Sequence, residues 1–291
     1  MSKKGKVLGF GDNVVDRYEH IKTIYPGGNC LNFAVYAKMI GVSRAAYMGY
    51  FGNDMEAEHV IWCLNKLKIE TVKCRQLHGE NGCARVCIED GERIFLGSNC
   101  GGIRGKTPYI LDRFDLEYMR EFDLVHSGNY SFTEEELWKL KKAGIPVSFD
   151  FSEIRDEEYW KKVGSQITYA FLSCGTLSEE QTQECLEKIY QIGVQKAVAT
   201  RGSGRAIGFD GKRFYYQEPV LLKYVTDTMG AGDSFITSFL VEEMEQKMVG
   251  KADMQRAMKE AARFAAKTCM MEGAFGYGKY YGAEHRKEVL C

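Results

Sequence analysis

Short apolar runs that break at glycine alternate with segments of helical period, and no other feature limits the fold of this chain as strongly. KVLGFG (6–11) reads as a buried strand ending in a glycine turn. In GGNCLNFAVYAKMIG (27–41), Leu31, Ala34, Val35 and Met39 recur at helical spacing, Asn29 can cap the start and Gly41 can end the helix. AAYMGYFG (45–52) then reads as a strand and EAEHVIWCLNKLKI (56–69) as an amphipathic helix. Beyond about residue 110 the pattern resumes, with strand ends at FDLVHSG (122–128), IPVSFDFS (145–152), ITYAFLS (167–173) and KAVATRG (196–202). Helix-like TEEELWKLKKAG (133–144) and SEEQTQECLEKIYQIG (178–193) separate them. Such alternation predicts a mainly parallel sheet with helices packed on its faces. At 291 residues the chain suits one large α/β domain with a small appendage.

The appendage is expected from the middle of the chain. CARVCIEDGERIFL (83–96) is two β-like runs around Asp90-Gly91, and Asp-Gly between Val, Ile and Phe is a strong hairpin signal. With TVKCRQL (71–77) and residues 13–25 it is expected to form a small antiparallel sheet outside the main one. RAIGFDGKRFYYQEP (205–219) predicts a second hairpin turning at Asp210-Gly211, and MQRAMKEAARFAAKTCMME (254–272) an alanine-rich helix.

Charge and cysteine usage exclude several function classes. With 39 basic and 40 acidic side chains, no positive excess draws nucleic acid or an anionic membrane. The ten cysteines are spread singly, without CxxC or zinc-type spacing, as expected for reduced thiols of a cytosolic protein. The start MSKKGKVLGFGD lacks an apolar signal core and no run approaches ~18 apolar residues, so the expected location is the cytoplasm. The five histidines show no ligand spacing, and His126, near a strand end, reads as structural. Trp62, Trp138 and Trp160 read as packing residues.

The segment DTMGAGDSF (227–235) carries the chemistry. Phe235, Phe239, Leu240 and Met244 share one helical face, so a helix begins near Gly232 or Asp233. Gly230, Ala231 and Gly232 then form the turn that feeds it. Small residues let backbone N–H groups crowd around one point, and the helix end adds partial positive charge, making an anion hole. Asp233 beside that hole is badly placed to bind an anion and well placed to accept a proton from a hydroxyl attacking a phosphoryl group. The plain alternative is a tight loop before a helix. Gly232→Val is expected to damage folding as well as activity, if a left-handed conformation is needed there. No GxxxxGK[ST] occurs, and the pairs in GFGDNV and GSGRAI lack the third glycine of a dinucleotide fingerprint.

DTMGAGDSF resembles the C-terminal signature of the PfkB (ribokinase-like) sugar kinases, PGGNCLNFAVYAKMIG their N-terminal signature, and GFGDNVVDRY their first strand with its sugar-binding aspartate. The matches fall in the family's order along nearly the whole chain. The resemblance implies a single ribokinase-like α/β domain over 1–291. Its architecture would be a three-layer sandwich with a mainly parallel central sheet and a small β lid, the lid from segments within about 13–27 and 71–105. It implies Asp233 as catalytic base, Gly230, Ala231 and Gly232 as the anion hole, and Asp16, Gly28 and Asn32 as sugar-holding positions. GDN at the first turn adds Asp12 to these. Thr200, Gly202 and Gly204 in TRGSG match the strand end near ATP, and Asp227 the acid beside a monovalent-cation region. ATP, Mg2+ and a cation such as K+ are the implied cofactors, and a homodimer through the lid the implied assembly. Within the family, GDNVVDRY, PGGNCLNFAVY, SFDFS and VTDTMGAGDSFI are most similar to members that phosphorylate Amadori adducts, sugar–amino acid compounds such as fructoselysine.

One departure stands out. The family's Asn-x-x-Glu motif, linked to magnesium and phosphate, is replaced after ITYAFLS by SCGTLSEEQ (173–181). Glu179 or Glu180 can supply the acid but no asparagine is present, so no metal ligand is assigned. A kinase for ribose, fructose or a keto-deoxy sugar acid is one alternative. A non-catalytic sugar- or nucleotide-binding module is the other, disfavoured because a binding protein has little need of Asp233.

Overall fold

The computed structural model of the chain describes residues 5–89 and 92–282. The expected Asp90-Gly91 turn lies outside these residues, as does the tail HRKEVLC. Strands β1 (Lys6–Gly11), β2 (Val14–Tyr18) and β3 (Thr23–Gly27) precede helix α1 (Asn29–Ile40), β4 (Arg44–Phe51), α2 (Met55–Leu67) and β5 (Arg75–Gln76). Next come β6 (Gly82–Glu89), β7 (Glu92–Ser98), α3 (Ile103–Lys106), α4 (Arg113–Met119), β8 (Leu124–Gly128), α5 (Leu137–Lys142) and β9 (Val147–Asp150). The remainder is α6 (Glu157–Gly164), β10 (Tyr169–Ser173), α7 (Glu179–Gln191), β11 (Lys196–Arg201), β12 (Gly204–Phe209), β13 (Phe214–Gln217), α8 (Ala231–Met248), α9 (Met254–Thr268) and β14 (Lys279–Tyr280).

The large sheet runs β13-β12-β11-β10-β9-β8-β1-β4-β5. All its pairings are parallel except those of the β11-β12-β13 end. Side chains of β1 alternate between two cores. Val7 lies in one buried cluster with Leu31 and Val35 of α1, Phe239 of α8 and Ala261 of α9. Leu8 and Phe10 belong to the cluster of the opposite layer, which includes Met119, Leu140, Trp160 and Leu186. Each such fully buried aliphatic or aromatic side chain contributes roughly 1.5–3 kcal/mol. Local signals set the helix ends: Asp54 caps α2 through Ala57 N at 2.9 Å, Ser178 and Gln181 form a reciprocal cap on α7, and Gly41 closes α1 at φ 97°. Trp160 is a core residue, but Trp62 and Trp138 are each 49% exposed, against the packing role expected of them.

The lid is a second sheet in the order β14-β3-β2-β6-β7. Its hairpins β2–β3 and β6–β7 are antiparallel as expected, but β2 joins β6 in parallel. Two expectations fail here. Residues 71–77 are not in the lid: Tyr47 N to Glu70 O (2.8 Å) and Leu77 N to Phe51 O (2.9 Å) zip this segment onto β4, at the edge of the large sheet. Its β-like composition says that it pairs and not with which edge. The lid instead gains β14, two residues with no apolar run to announce them.

Candidate active site

The chain winds from β1 through β4 to β5, then returns to β8 on the other side of β1. The strand order therefore reverses between β1 and β8, and parallel sheets open a crevice beyond the C-terminal strand ends at such a point. Asp12 leaves β1 there, Asn129 follows β8 and Asp150 ends β9. Helix α1 is brought into the crevice by Gly27 and Gly28. Gly28 has φ 106°, and a methyl group on it would stand 2.8 Å from Asn13 Cα. The cap of α1 is not Asn29. Asp12 accepts from the N–H groups of Asn29 (2.8 Å) and Cys30 (3.1 Å) and from Ser131 Oγ (2.9 Å). Asp12 thus serves as the anchor of α1, with both oxygens engaged by protein donors.

Helix α8 begins after Gly230, which is left-handed at φ 71°. A Cβ there would sit 2.4 Å from the Tyr36 hydroxyl, which donates to Ala274 O. The first α8 bond of the i to i−4 kind is Ser234 N to Gly230 O, so the amides of Gly232 and Asp233 precede any intrahelical acceptor. They are donors of the kind that the anion hole expected of this turn would need. Gly232 differs from the expectation: it has no left-handed φ, and a Cβ on it would meet nothing within 4 Å. The strained glycine of the trio is Gly230.

Packing of α1 beside α8 sets Asp233 between two carboxamides. Asn29 Nδ2 donates to its Oδ1 at 2.8 Å and Asn32 Nδ2 to its Oδ2 at 2.6 Å. Asp233 is half-buried, at the crevice floor. Desolvation raises its pKa, against the pull of Asn32 and Asn29 and with the help of the Asp12 charge. Asn29 Nδ2 also donates to Asp150 Oδ2 at 3.1 Å. Burial lifts Asp150 to about 7, with the Asp233 charge adding to the shift and the N–H and O–H of Ser152 opposing it. Behind Asn29, its Oδ1 lies 2.9 Å from His126 Nε2, and His126 Nδ1 lies 2.8 Å from Ser148 Oγ. His126 is wholly buried and desolvation holds its pKa down at about 3.

The nucleotide-binding candidates converge. Thr200, Gly202 and Gly204 line one cavity of about 380 Å³ together with Ala231 and Gly232, so the β11–β12 turn and the start of α8 form its walls. Gly202, at φ 60°, likewise leaves open space where a side chain would be. Glu179 lies apart from this role: Arg205 grips it, with Nε at 2.7 Å, and Arg201 Nη1 is 3.2 Å away. Glu180 accepts from Ser178 Oγ at 2.9 Å.

The lid closes over the crevice from β2. Asp16 and Tyr18 are two residues apart and share a face. Asp16 is buried against the turn before α1, where a methyl group on Gly27 would come 2.8 Å from its Oδ2. Tyr18 OH reaches Asp227 Oδ2 at 2.5 Å. Asp227 also accepts from Met229 N (2.9 Å) and Gly273 N (3.1 Å), so it ties the lid to the loop that leads into α8. Around the crevice, Asn13 Oδ1, Asn32 Oδ1 and Asn129 Nδ2 are buried with no hydrogen-bond partner among the described residues.

Asn29, His126 and Asp150 were missed as site residues. A signal existed for Asp150, an acid at the C-terminal end of a parallel strand. Asn29 reads as a cap and His126 as core until α1, β8 and β9 are side by side.

Comparison with known proteins agrees with this geometry. The family described as pfkB family carbohydrate kinase matches residues 163–274. Fructosamine kinase FrlD of Bacillus subtilis is 43% identical over 96% of both chains. Fructoselysine 6-kinase of Escherichia coli is 28% identical, covering 91% of this chain and 97% of its own. Among solved structures, ribokinase of Giardia lamblia superposes with a TM-score of 0.80 at 18% identity, covering 94% of this chain and 95% of that one. Arabidopsis thaliana ribokinase complexed with ribose and ATP superposes with a TM-score of 0.74 at 22% identity, with 94% and 95% covered. These two establish the ribokinase-like fold alone. Near-complete alignment at 43% identity carries the family: the chain is an ATP-dependent sugar kinase and belongs to the pfkB family of carbohydrate kinases.

Proposed function

We propose that this kinase transfers the γ-phosphoryl group of ATP to the 6-hydroxyl of a fructosamine such as fructoselysine. The substrate class rests on the full-length similarity to a fructosamine kinase. The observation that carries the chemistry is Asp233, held on both oxygens by Asn29 and Asn32 beside the free amides of α8. In this reading the 6-hydroxyl oxygen bonds to the γ-phosphorus as the bond to the ADP oxygen breaks, and the hydroxyl proton passes to Asp233. The amides around Gly230, Ala231 and Gly232 stabilise the charge on the moving group. Asp16, Gly28 and Asn32 hold the polyol. The unpartnered carboxamide atoms of Asn13, Asn32 and Asn129 suit a ligand whose hydroxyls both donate and accept, since buried polar atoms left alone are costly. Thr200, Gly202 and Gly204 take the nucleotide.

Glu179 is neutralised by arginines, and among the described residues no cluster of three His, Cys, Asp or Glu side chains is disposed to hold a metal. The residues therefore do not fit a protein-held magnesium site; Mg2+ enters as the counter-ion of the ATP phosphates. Three protein donors on Asp227 likewise do not fit a K+ ligand, and no step is assigned to K+. The kinase forms a homodimer through the lid, whose edge strand β7 exposes Ile94, Phe95 and Leu96. Its free cysteines suit the cytoplasm, and no described helix is long and apolar enough to cross a membrane. The deciding experiment compares kcat/KM for fructoselysine, fructose and ribose at saturating ATP. Fructoselysine should lead; fructose or ribose matching it overturns the substrate assignment and leaves the sugar kinase.

A further inference from the structure

Asn29 has one carbonyl oxygen and two N–H hydrogens, and the site has a use for each. Its Nδ2 is 2.8 Å from Asp233 Oδ1 and 3.1 Å from Asp150 Oδ2. Turned over, the amide would set its oxygen against two carboxyl groups. The orientation with nitrogen toward both acids is thus the one chemistry permits. It follows that His126 Nε2, 2.9 Å from Asn29 Oδ1, carries the hydrogen. His126 Nδ1 then accepts from the Ser148 hydroxyl at 2.8 Å. The chain Ser148 to His126 to Asn29 to the two acids has one consistent direction of donation, and it needs a neutral imidazole. The ring is kept in place by Phe33, with centroids 4.6 Å apart.

We propose that Asn29 and His126 are positioning residues for phosphoryl transfer: His126 locks the Asn29 amide, and the locked amide fixes the Asp233 carboxylate in line with the attacking hydroxyl. This rests on Asp233 being the proton acceptor. A proton acceptor works only within hydrogen-bond reach and correct aim, and a misplacement of an ångström costs about 10²-fold. Asn32 alone holds Oδ2 and leaves the carboxylate free to pivot about it. Asn29 supplies the second point.

Two signatures separate positioning from mere packing. Loss of Asn29 should lower kcat about 10²-fold while the KM values for ATP and sugar stay within a factor of a few. It should also move the acid limb of the pH–rate profile upward, because a donor to the ionised carboxylate is removed. The other titratable groups whose charges bear on Asp233 or that feel its charge are Asp12 after β1, Asp150 at the end of β9 and Tyr36 on α1. They are the same in every variant, so the difference reads Asn29.

The experiment measures kcat, both KM values and the pH profile for Asn29→Leu, His126→Phe and His126→Gln, with Asp233→Asn in parallel and melting temperature as the folding control. His126→Phe should reproduce the kcat loss and the upward limb in weaker form. His126→Gln, which keeps a donor near the Nε2 position, should recover most of the rate. The inference is overturned if folded Asn29→Leu keeps its kcat, if its acid limb stays in place, or if His126→Gln is no better than His126→Phe. Should Asn29→Leu fail to fold, the two His126 variants decide it on the same criteria. Asp233→Asn distinguishes the two levels. Retained turnover there removes the base assignment itself, whereas lost turnover with unaffected Asn29 and His126 variants removes only the positioning roles.

Discussion

Gly230 and Gly232 should fail in opposite ways. At Gly230 an alanine must adopt φ 71°, a left-handed conformation that costs an L-residue about 1–2 kcal/mol. Its Cβ would also fall 2.4 Å from the Tyr36 hydroxyl and 3.0 Å from Ala274 Cβ, so Tyr36 must leave its bond to Ala274 O. Losing that bond adds about 0.5–1.5 kcal/mol. The sum is about 1.5–3.5 kcal/mol, and for a chain of this size a melting temperature lower by about 3–6 °C. Gly232 sits in the first turn of α8 with open space where a side chain would be. There valine should be neutral or stabilising by a few tenths of a kcal/mol, because glycine is the poorer helix former. The same side chain projects toward the cavity shared with Thr200, Gly202 and Gly204, and should raise the KM for ATP at least about tenfold, equivalent to about 1.4 kcal/mol of binding. Thermal melts and ATP saturation curves of Gly230→Ala and Gly232→Val test the pair. If Gly232→Val melts as early as Gly230→Ala, or binds ATP normally, the assignment of strain to one glycine and access to the other is wrong.

Asp233→Asn should lower kcat by about 10²–10⁴-fold with ATP affinity unchanged, and near-normal turnover of the purified variant would remove the base. Because burial raises the pKa of Asp233, wild-type kcat/KM should fall on acidification with an apparent pKa above that of an ordinary aspartate, read from a pH–rate profile. Asp150, lifted to about 7, binds a proton in the fold that it has lost in the unfolded chain between pH ~4 and 7, so it makes the fold less stable as pH rises through that window. Asp150→Asn should therefore gain stability over the wild type progressively from about pH 4 to pH 7 in urea titrations and level off above; a difference independent of pH counts against the shifted carboxyl. Light scattering at micromolar concentration should find a dimer, and Phe95→Lys on the exposed edge strand β7 should give monomers with an unchanged melting profile; a wild-type monomer refutes the lid interface.

Much of this protein follows from local pattern. The alternation of apolar runs and helical segments is enough for a parallel sheet between helix layers, because strand and helix periods differ and each buries one face. The glycine trio before Asp233 marks a helix start, because a left-handed Gly230 opens α8, and Thr200, Gly202 and Gly204 lie on the same cavity as Ala231 and Gly232. What stayed out of reach depends on which elements become neighbours. The edge joined by residues 71–77, the addition of Lys279–Tyr280 to the lid, and the conversion of Asp12 into the anchor of α1 each turn on hydrogen bonds between segments distant in sequence. The same holds for the core of the site. Asn29, His126, Asp150 and Asp233 come from α1, β8, β9 and α8, and a buried amide, a neutral imidazole and two carboxyl groups acquire their chemistry only when tertiary packing removes water and sets one donor against each acceptor.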